Sequence, residues 1–238
     1  MTYQLGYFIV SILFLAVWWL LFWKNKEIRK PMLILSLLTM LAGPLSEYWY
    51  FQDYWRPYLI VRLPLIGGIE DLLFGFAIGG IGSFIYEAIF IKGFCLCERK
   101  KIARREFLLL FPLFIFASLL IFNNLLGINS IFASSIGMII AGTLTLLYRR
   151  DLWQNALFSG ILVALIMFVI YLIPQLIFPK AHEFLPKAWL LYGTDLGYLI
   201  FGHIPLTEMI WGFSWGFAWG PFYEFITGAR IIKLNIKK

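Results

Sequence analysis

The chain has 238 residues, of which 61% are hydrophobic and 14% charged, with a net charge of +7. Soluble domains hold roughly a quarter charged residues, and a core of this length cannot bury so much apolar surface, so most side chains must face lipid. The basic balance speaks for membrane topology and against nucleic acid, because the Lys and Arg residues stand in short segments between apolar runs.

In chain order, seven runs are apolar and long enough to cross a bilayer, which takes roughly 20 residues. They are residues 3–23, 31–48, 68–91, 107–126, 131–148, 153–178 and 204–226. Backbone groups cannot go unpaired in lipid, so these runs are predicted as continuous helices. They are too long and too uniformly apolar for barrel strands. The first run has no basic segment before it and no small-residue cleavage site after it, and so reads as a permanent helix. The fold class is therefore an all-α integral membrane protein of about seven transmembrane helices.

Charge sets the orientation. Sixteen Lys and Arg fall on one side, in the segments that follow helices one, three, five and seven. Four fall on the other side: Arg56, Arg62, Lys180 and Lys187. The positive-inside rule then places the N-terminus outside and the C-terminus in the cytoplasm of a multi-pass cell-membrane protein. The outer segments 49–67 and 179–203 are rich in Trp and Tyr. They read first as an interfacial aromatic belt and second as a lid over a cavity. Cys95 and Cys97, in the basic segment 92–105, read as ordinary reduced thiols.

A shift of 137 residues lays helix three over helix seven. Ile69-Glu70-Asp71-Leu72-Leu73-Phe74-Gly75-Phe76 falls on Leu206-Thr207-Glu208-Met209-Ile210-Trp211-Gly212-Phe213. Gly79 falls on Gly216, and Tyr86-Glu87 on Tyr223-Glu224. Helices one to three and five to seven both run outside-inside-outside-inside, so the chain reads as two parallel three-helix repeats. Helix four is then needed as the linker. The expected divisions are 1–91 for the first repeat, 92–130 for the basic loop and linker helix, and 131–238 for the second repeat and basic tail.

Ionisable groups within a membrane are costly and are candidate functional residues. Glu70 and Asp71 open helix three, and Glu208 opens helix seven. Helix capping explains such residues as well as function does. Glu47, after Pro44 near the outer end of helix two, is placed to join them. Glu87 and Glu224 lie at the cytoplasmic ends and read as interfacial anchors. Gly79-Gly80-Ile81-Gly82 follows no strand and is no dinucleotide loop. His182 and His203 stand alone, and no nucleophile triad is present in the sequence, so neither a metal nor a cofactor is expected. Aromatic side chains recur beside the acids, with Phe74 on helix three and Trp211, Trp215 and Trp219 on helix seven. Packing is the ordinary role for such a stripe. Aromatic faces beside a carboxyl also suit a reaction that passes through a cation.

With these features the sequence resembles the membrane lycopene β-cyclase family, built from two three-helix halves that are fused in some members. That family carries a Pro-x-Glu-Glu motif at the start of the third helix of each half. Here the first copy reads Gly68-Ile69-Glu70-Asp71-Leu72-Leu73-Phe74 and the second Pro205-Leu206-Thr207-Glu208. Gly68 replaces the proline, Asp71 the second glutamate and Thr207 the first glutamate of the other copy. The resemblance implies a carotenoid or related isoprenoid cyclase that closes a ring at the end of a linear polyene without net redox change. It implies Glu70 as acid with Asp71 and Glu208 as partner or base, and Phe74, Trp211, Thr207 and Glu47 around the substrate. The expected partners are an apolar isoprenoid drawn from the bilayer and the lipid itself, with a homo-oligomer left open. Two other readings compete: a non-catalytic lipid- or isoprenoid-binding or transport protein, and a related carotenoid hydratase.

Overall fold

The structure is a computed structural model in which residues 3–63, 67–95, 106–177 and 183–233 are described. It is mainly helical. The first apolar run forms α1 (Gly6–Lys24) and the second forms α2 (Arg29–Met40) and α3 (Ala42–Asp53). The third forms α4 (Ile69–Phe90) and the fourth α5 (Phe107–Leu119), which ends in a π-helical turn over Leu120–Leu125. Then follow α6 (Ser130–Tyr148), α7 (Trp153–Ile177), the short outer helix α8 (Phe184–Ala188), α9 (Leu206–Trp219) and α10 (Phe222–Thr227). Short strands β1 (Lys92–Cys95) and β4 (Arg230–Lys233) pair antiparallel, and β2 (Leu199–Ile200) pairs with β3 (Ile204–Pro205). The basic segment around residues 96–105, with Cys97, and also Lys180, His182, Lys237 and Lys238 lie outside the described residues.

Five of the helical stretches are long and apolar enough to span a membrane, and six if α2 and α3 count as one bent span. The expected count of seven is not reached as drawn. Two interruptions account for the difference. The α2–α3 pair bends by 41° at Leu41, where the backbone N–H of the third α3 residue is lost to Pro44. The seventh run stops at Gly220-Pro221, leaving α9 with 14 residues. At 1.5 Å per residue that is about 21 Å, short of the ~30 Å hydrocarbon layer.

Two helices organise the packing. Helix α4 receives α1, α2 and α3 on one side and α7 and α9 on the other, while α9 packs on α6 and α7; α5 leans on α6. Glycine makes the closest of these approaches. A Cβ on Gly43 would stand 2.3 Å from the carbonyl oxygen of Asp71, and one on Gly216 2.3 Å from that of Ser159. No side chain fits at either crossing. The lipid-facing side of the bundle stays apolar, as Trp19, Leu20, Leu109 and Leu165 are all exposed.

The outer aromatic segments pack on each other. Trp55 and Trp189 form an antiparallel bridge, Arg56 N donates to Ala188 O at 2.6 Å, and Leu190 N donates to Tyr54 O at 2.9 Å. Tyr54 and Trp189 are buried. These residues close as a lid over the cavity described below, while Tyr58, Tyr192 and Tyr198 of the same segments stay exposed. Two further expectations change. Cys95 is disulfide-bonded, not a reduced thiol. Glu87 and Glu224 are fully buried instead of anchoring an interface. Their carboxyls lie close to one another, and Asn155 Nδ2 donates to Glu87 Oε1 at 2.8 Å.

Candidate active site

Under the lid lies a narrow cavity of about 90 Å³, bounded by α2, α3, α4, α5, α6 and α9. Its walls are apolar and aromatic, from Tyr50, Trp55, Phe74, Phe116, Trp211, Trp215 and Trp219, with Ile78, Ile115, Leu119, Ile131 and Met138 between them. Two carboxylic acids reach it, Glu47 from α3 and Glu208 from α9. Both are buried, at 5% and 9% exposure.

Spacing of four along α9 stacks its tryptophans on one face. Ring centroids are 5.1 Å apart for Trp211 and Trp215 and 5.3 Å for Trp215 and Trp219. Phe74 from α4 meets Trp211 at 5.9 Å. Two of the three indole N–H groups are hydrogen-bonded, which fixes their rings. Trp211 Nε1 donates to Tyr50 Oη at 3.0 Å, which in turn donates to Ser134 Oγ at 2.9 Å. Trp215 Nε1 donates to the Ile78 carbonyl at 2.9 Å. All three rings line the cavity, and aromatic faces stabilise a cation.

The carboxyls sit in two separate hydrogen-bond networks. Glu47 Oε2 accepts from Trp55 Nε1 at 3.1 Å, and its carboxyl lies beside that of Asp71. Asp71 accepts from Tyr7 Oη at 2.6 Å and from the Gly68 amide at 2.5 Å. The second bond caps α4, so the capping and functional readings of Asp71 hold together in one side chain. Glu208 accepts from Tyr54 Oη and lies beside Tyr171, and the Tyr54 and Thr207 hydroxyls lie 3.3 Å apart. Adjacent lid residues Tyr54 and Trp55 therefore hold one carboxyl each.

Of the residues expected around the site, Glu47, Phe74, Glu208 and Trp211 line the cavity. Asp71 and Thr207 stand behind its wall, beside Glu47 and Tyr54. Glu70 does not line it. Its Oε1 accepts from Ile60 N at 2.6 Å, and its Oε2 is buried beside Gly68 without a partner. Tyr7, Tyr50, Tyr54, Trp55 and Tyr171 were not among the expected site residues. Tyr54 and Trp55 stand in the aromatic outer segment, which gave a signal; Tyr7 and Tyr171 give none, as each is one aromatic in an apolar helix.

Residues 129–226 match the family described as lycopene cyclase. That segment is about two fifths of the chain, and the match supports a lycopene cyclase family. With several helices of spanning length, the chain is a multi-pass membrane protein with a carotenoid-cyclase-like domain. The matched segment runs from the cap of α6 to α10, so the lycopene cyclase domain contributes Ser134, Tyr171, Glu208 and the tryptophan stack. Glu47, Asp71 and Phe74 come from the part before it. No curated protein and no solved structure matches the chain.

Proposed function

We propose that this protein is a carotenoid or related isoprenoid cyclase of the fused two-repeat kind, acting on the end of a linear polyene inside the cavity. The observation that carries the reading is the pair of carboxyls with different hydrogen-bond roles on one aromatic-walled cavity at membrane depth. Two carboxyls side by side in an apolar site do not both ionise. Asp71 already accepts from Tyr7 and Gly68, which favours its carboxylate form. We therefore assign Glu47 as the acid. Glu208 accepts from the Tyr54 phenol and has the Tyr171 ring beside it. A carboxylate suits that role, which makes it the base.

The chemistry balances without cofactor or oxidant. Glu47 adds its proton to the less substituted carbon of the terminal double bond and leaves a tertiary cation. The next double bond along the chain attacks that cation and closes a six-membered ring, moving the charge into the ring. Glu208 takes a proton from a carbon beside the charge, and a new double bond forms. Substrate and product are isomers. Phe74, Trp211 and Trp215 face the travelling charge, and the apolar walls exclude competing nucleophiles.

Four pairs of residues 137 positions apart support the two-repeat architecture by meeting each other: Phe74 with Trp211, Ile78 with Trp215, Glu87 with Glu224, and Phe94 with Ile231 in the β1–β4 register. Contact between equivalent residues at four levels is what a two-fold axis between α4 and α9 would produce. In this reading α9 and α10 together make a seventh crossing, and the N-terminus lies outside. The test is pigment analysis of lycopene-accumulating cells that express the chain or its Glu47→Gln, Glu208→Gln or Glu70→Gln variant. Cyclic carotenes from the unaltered chain, lost with Glu47→Gln and with Glu208→Gln, are the expected result. Unchanged lycopene with the protein present in the membrane would overturn the reading and favour a binding role.

A further inference from the structure

The cavity is not isolated from the lipid-facing surface. On the outer flank of α3 runs a groove, open along its length and lined by Pro44, Leu45, Tyr48, Trp49 and Phe51. Two residues, Glu47 and Phe116, line both this groove and the aromatic cavity. The acid therefore stands on the partition between the two spaces, and the Phe116 ring forms the rest of that partition.

The partition lies at the seam between α3 and α5. Helix α5 leans on α6, and at its outer end it meets α3 through Trp49, whose ring lies 6.0 Å from that of Phe116. Trp49 Nε1 donates to Asn124 Oδ1 at 3.0 Å, in the π-helical turn that follows. Such turns inside helices loosen the backbone ladder and recur at functional sites. Groove residues face outward at membrane depth, Leu45 at 48% and Tyr48 at 66% exposure. Only an apolar occupant gains by lying there.

We infer that this groove is a second substrate subsite, which holds the unreacted polyene chain while one end sits in the cavity, and that Phe116 is the gate through which that end enters from the bilayer. This rests on the cyclase reading above. A long acyclic polyene is then the substrate class. Its far end never passes the acid, so each ring requires a separate entry event. A lipid acyl chain is the competing occupant.

A photoreactive benzophenone side chain placed at Ser46 (a cavity residue), Leu45 (a groove residue) or Leu37 (lipid-facing on α2) tests this in lycopene-accumulating membranes. After irradiation and purification, the expected result is a visible polyene chromophore bound covalently to the Ser46 and Leu45 proteins and not to the Leu37 protein. An adduct at Ser46 with none at Leu45, or a lipid mass at Leu45, would overturn the groove while leaving the cyclase reading intact. Adducts at neither Ser46 nor Leu45 would remove both. As a functional check, Leu45→Trp is expected to lower kcat/KM for lycopene by about tenfold. It should leave a short acyclic polyene with the same end group within about twofold, and Leu37→Trp should change neither. An equal loss on both substrates would place the effect in the cavity and refute the groove.

Discussion

Tyr7 on α1 donates its hydroxyl to Asp71 on α4 at 2.6 Å, across 64 residues of sequence. This bond, with the Gly68 amide, takes up two acceptor sites of Asp71, and the Glu47 carboxyl lies beside them. An acid that must release a proton to carbon and then be recharged is held here by a partner that cannot swing away. Asp71→Asn keeps the acceptor for Tyr7 but offers Glu47 an amide N–H in place of a carboxylate. It is expected to cut cyclic carotene formation by roughly 10²–10⁴, the usual contribution of a general acid. Quantifying pigments per membrane-inserted protein checks this.

Glu70→Gln is expected to be milder than Glu47→Gln. The amide oxygen of glutamine still accepts from Ile60 N, and no cavity wall changes. Side-by-side pigment yields decide between the assignment implied by the motif and the one proposed from geometry. Full loss with Glu70→Gln and retained activity with Glu47→Gln would restore the former.

The tryptophan stack separates two effects. Trp211→Phe keeps an aromatic face but loses the bond to Tyr50, whereas Trp211→Ala removes both. Cation–π contributions run to about 2 kcal/mol when desolvated, so the alanine variant should fall ~30-fold in turnover and the phenylalanine variant by a few-fold. Turnover at saturating substrate is the measurement, since loss of apolar contact alone raises KM.

Arg149 illustrates a structural role that charge counting conceals. Its guanidinium pairs with both Asp151 oxygens at 2.8 Å and donates to the Glu224 and Ala229 carbonyls at 3.0 and 2.8 Å. It thereby joins the end of α6 to the end of α10. Lysine cannot reproduce that fork, so Arg149→Lys should destabilise the protein by about 1–3 kcal/mol. A thermal or denaturant melt in mild detergent reads the shift.

Gly216→Ala places a methyl group 2.3 Å from the Ser159 carbonyl oxygen, which cannot withdraw without moving α7 from α9. A loss of about 1–3 kcal/mol is expected in the same melts, from overpacking. Gly193→Ala, in an outer loop with open space around it, serves as a contrast, since only its positive φ of 76° opposes the substitution.

The helices were legible because apolar length is a strong signal, and the basic segments ordered them. The broken elements were not. Pro44 and Pro221 each interrupt an apolar run that composition alone reads as one helix, and hydropathy does not register a missing N–H. At the site, Glu208 and Glu47 stood out because an acid in an apolar helix is rare. Phe74 and Trp211 were found through the repeat. The sequence could not reveal that Glu70 turns toward the backbone at Ile60 while its neighbour Asp71 supports Glu47. Two adjacent acids on a helix differ by 100° in direction, and only the packing of the preceding loop selects which one faces inward. Arg149 was read as one positive charge among sixteen, since nothing in a sequence distinguishes a solvated arginine from a buried clasp.

The lid joins segments from the two halves of the chain through the Trp55–Trp189 bridge and the Arg56 and Leu190 amides, and its Tyr54 and Trp55 hold the two carboxyls of the cavity. In a cyclase of the kind proposed, its tightness would govern product identity. A tertiary cation that meets water becomes an alcohol, and one that meets only its own double bond becomes a ring. Loosening those few main-chain hydrogen bonds would let the same first protonation end in hydration, so the boundary between two classes of pigment enzyme can lie in a seam of backbone that touches no substrate.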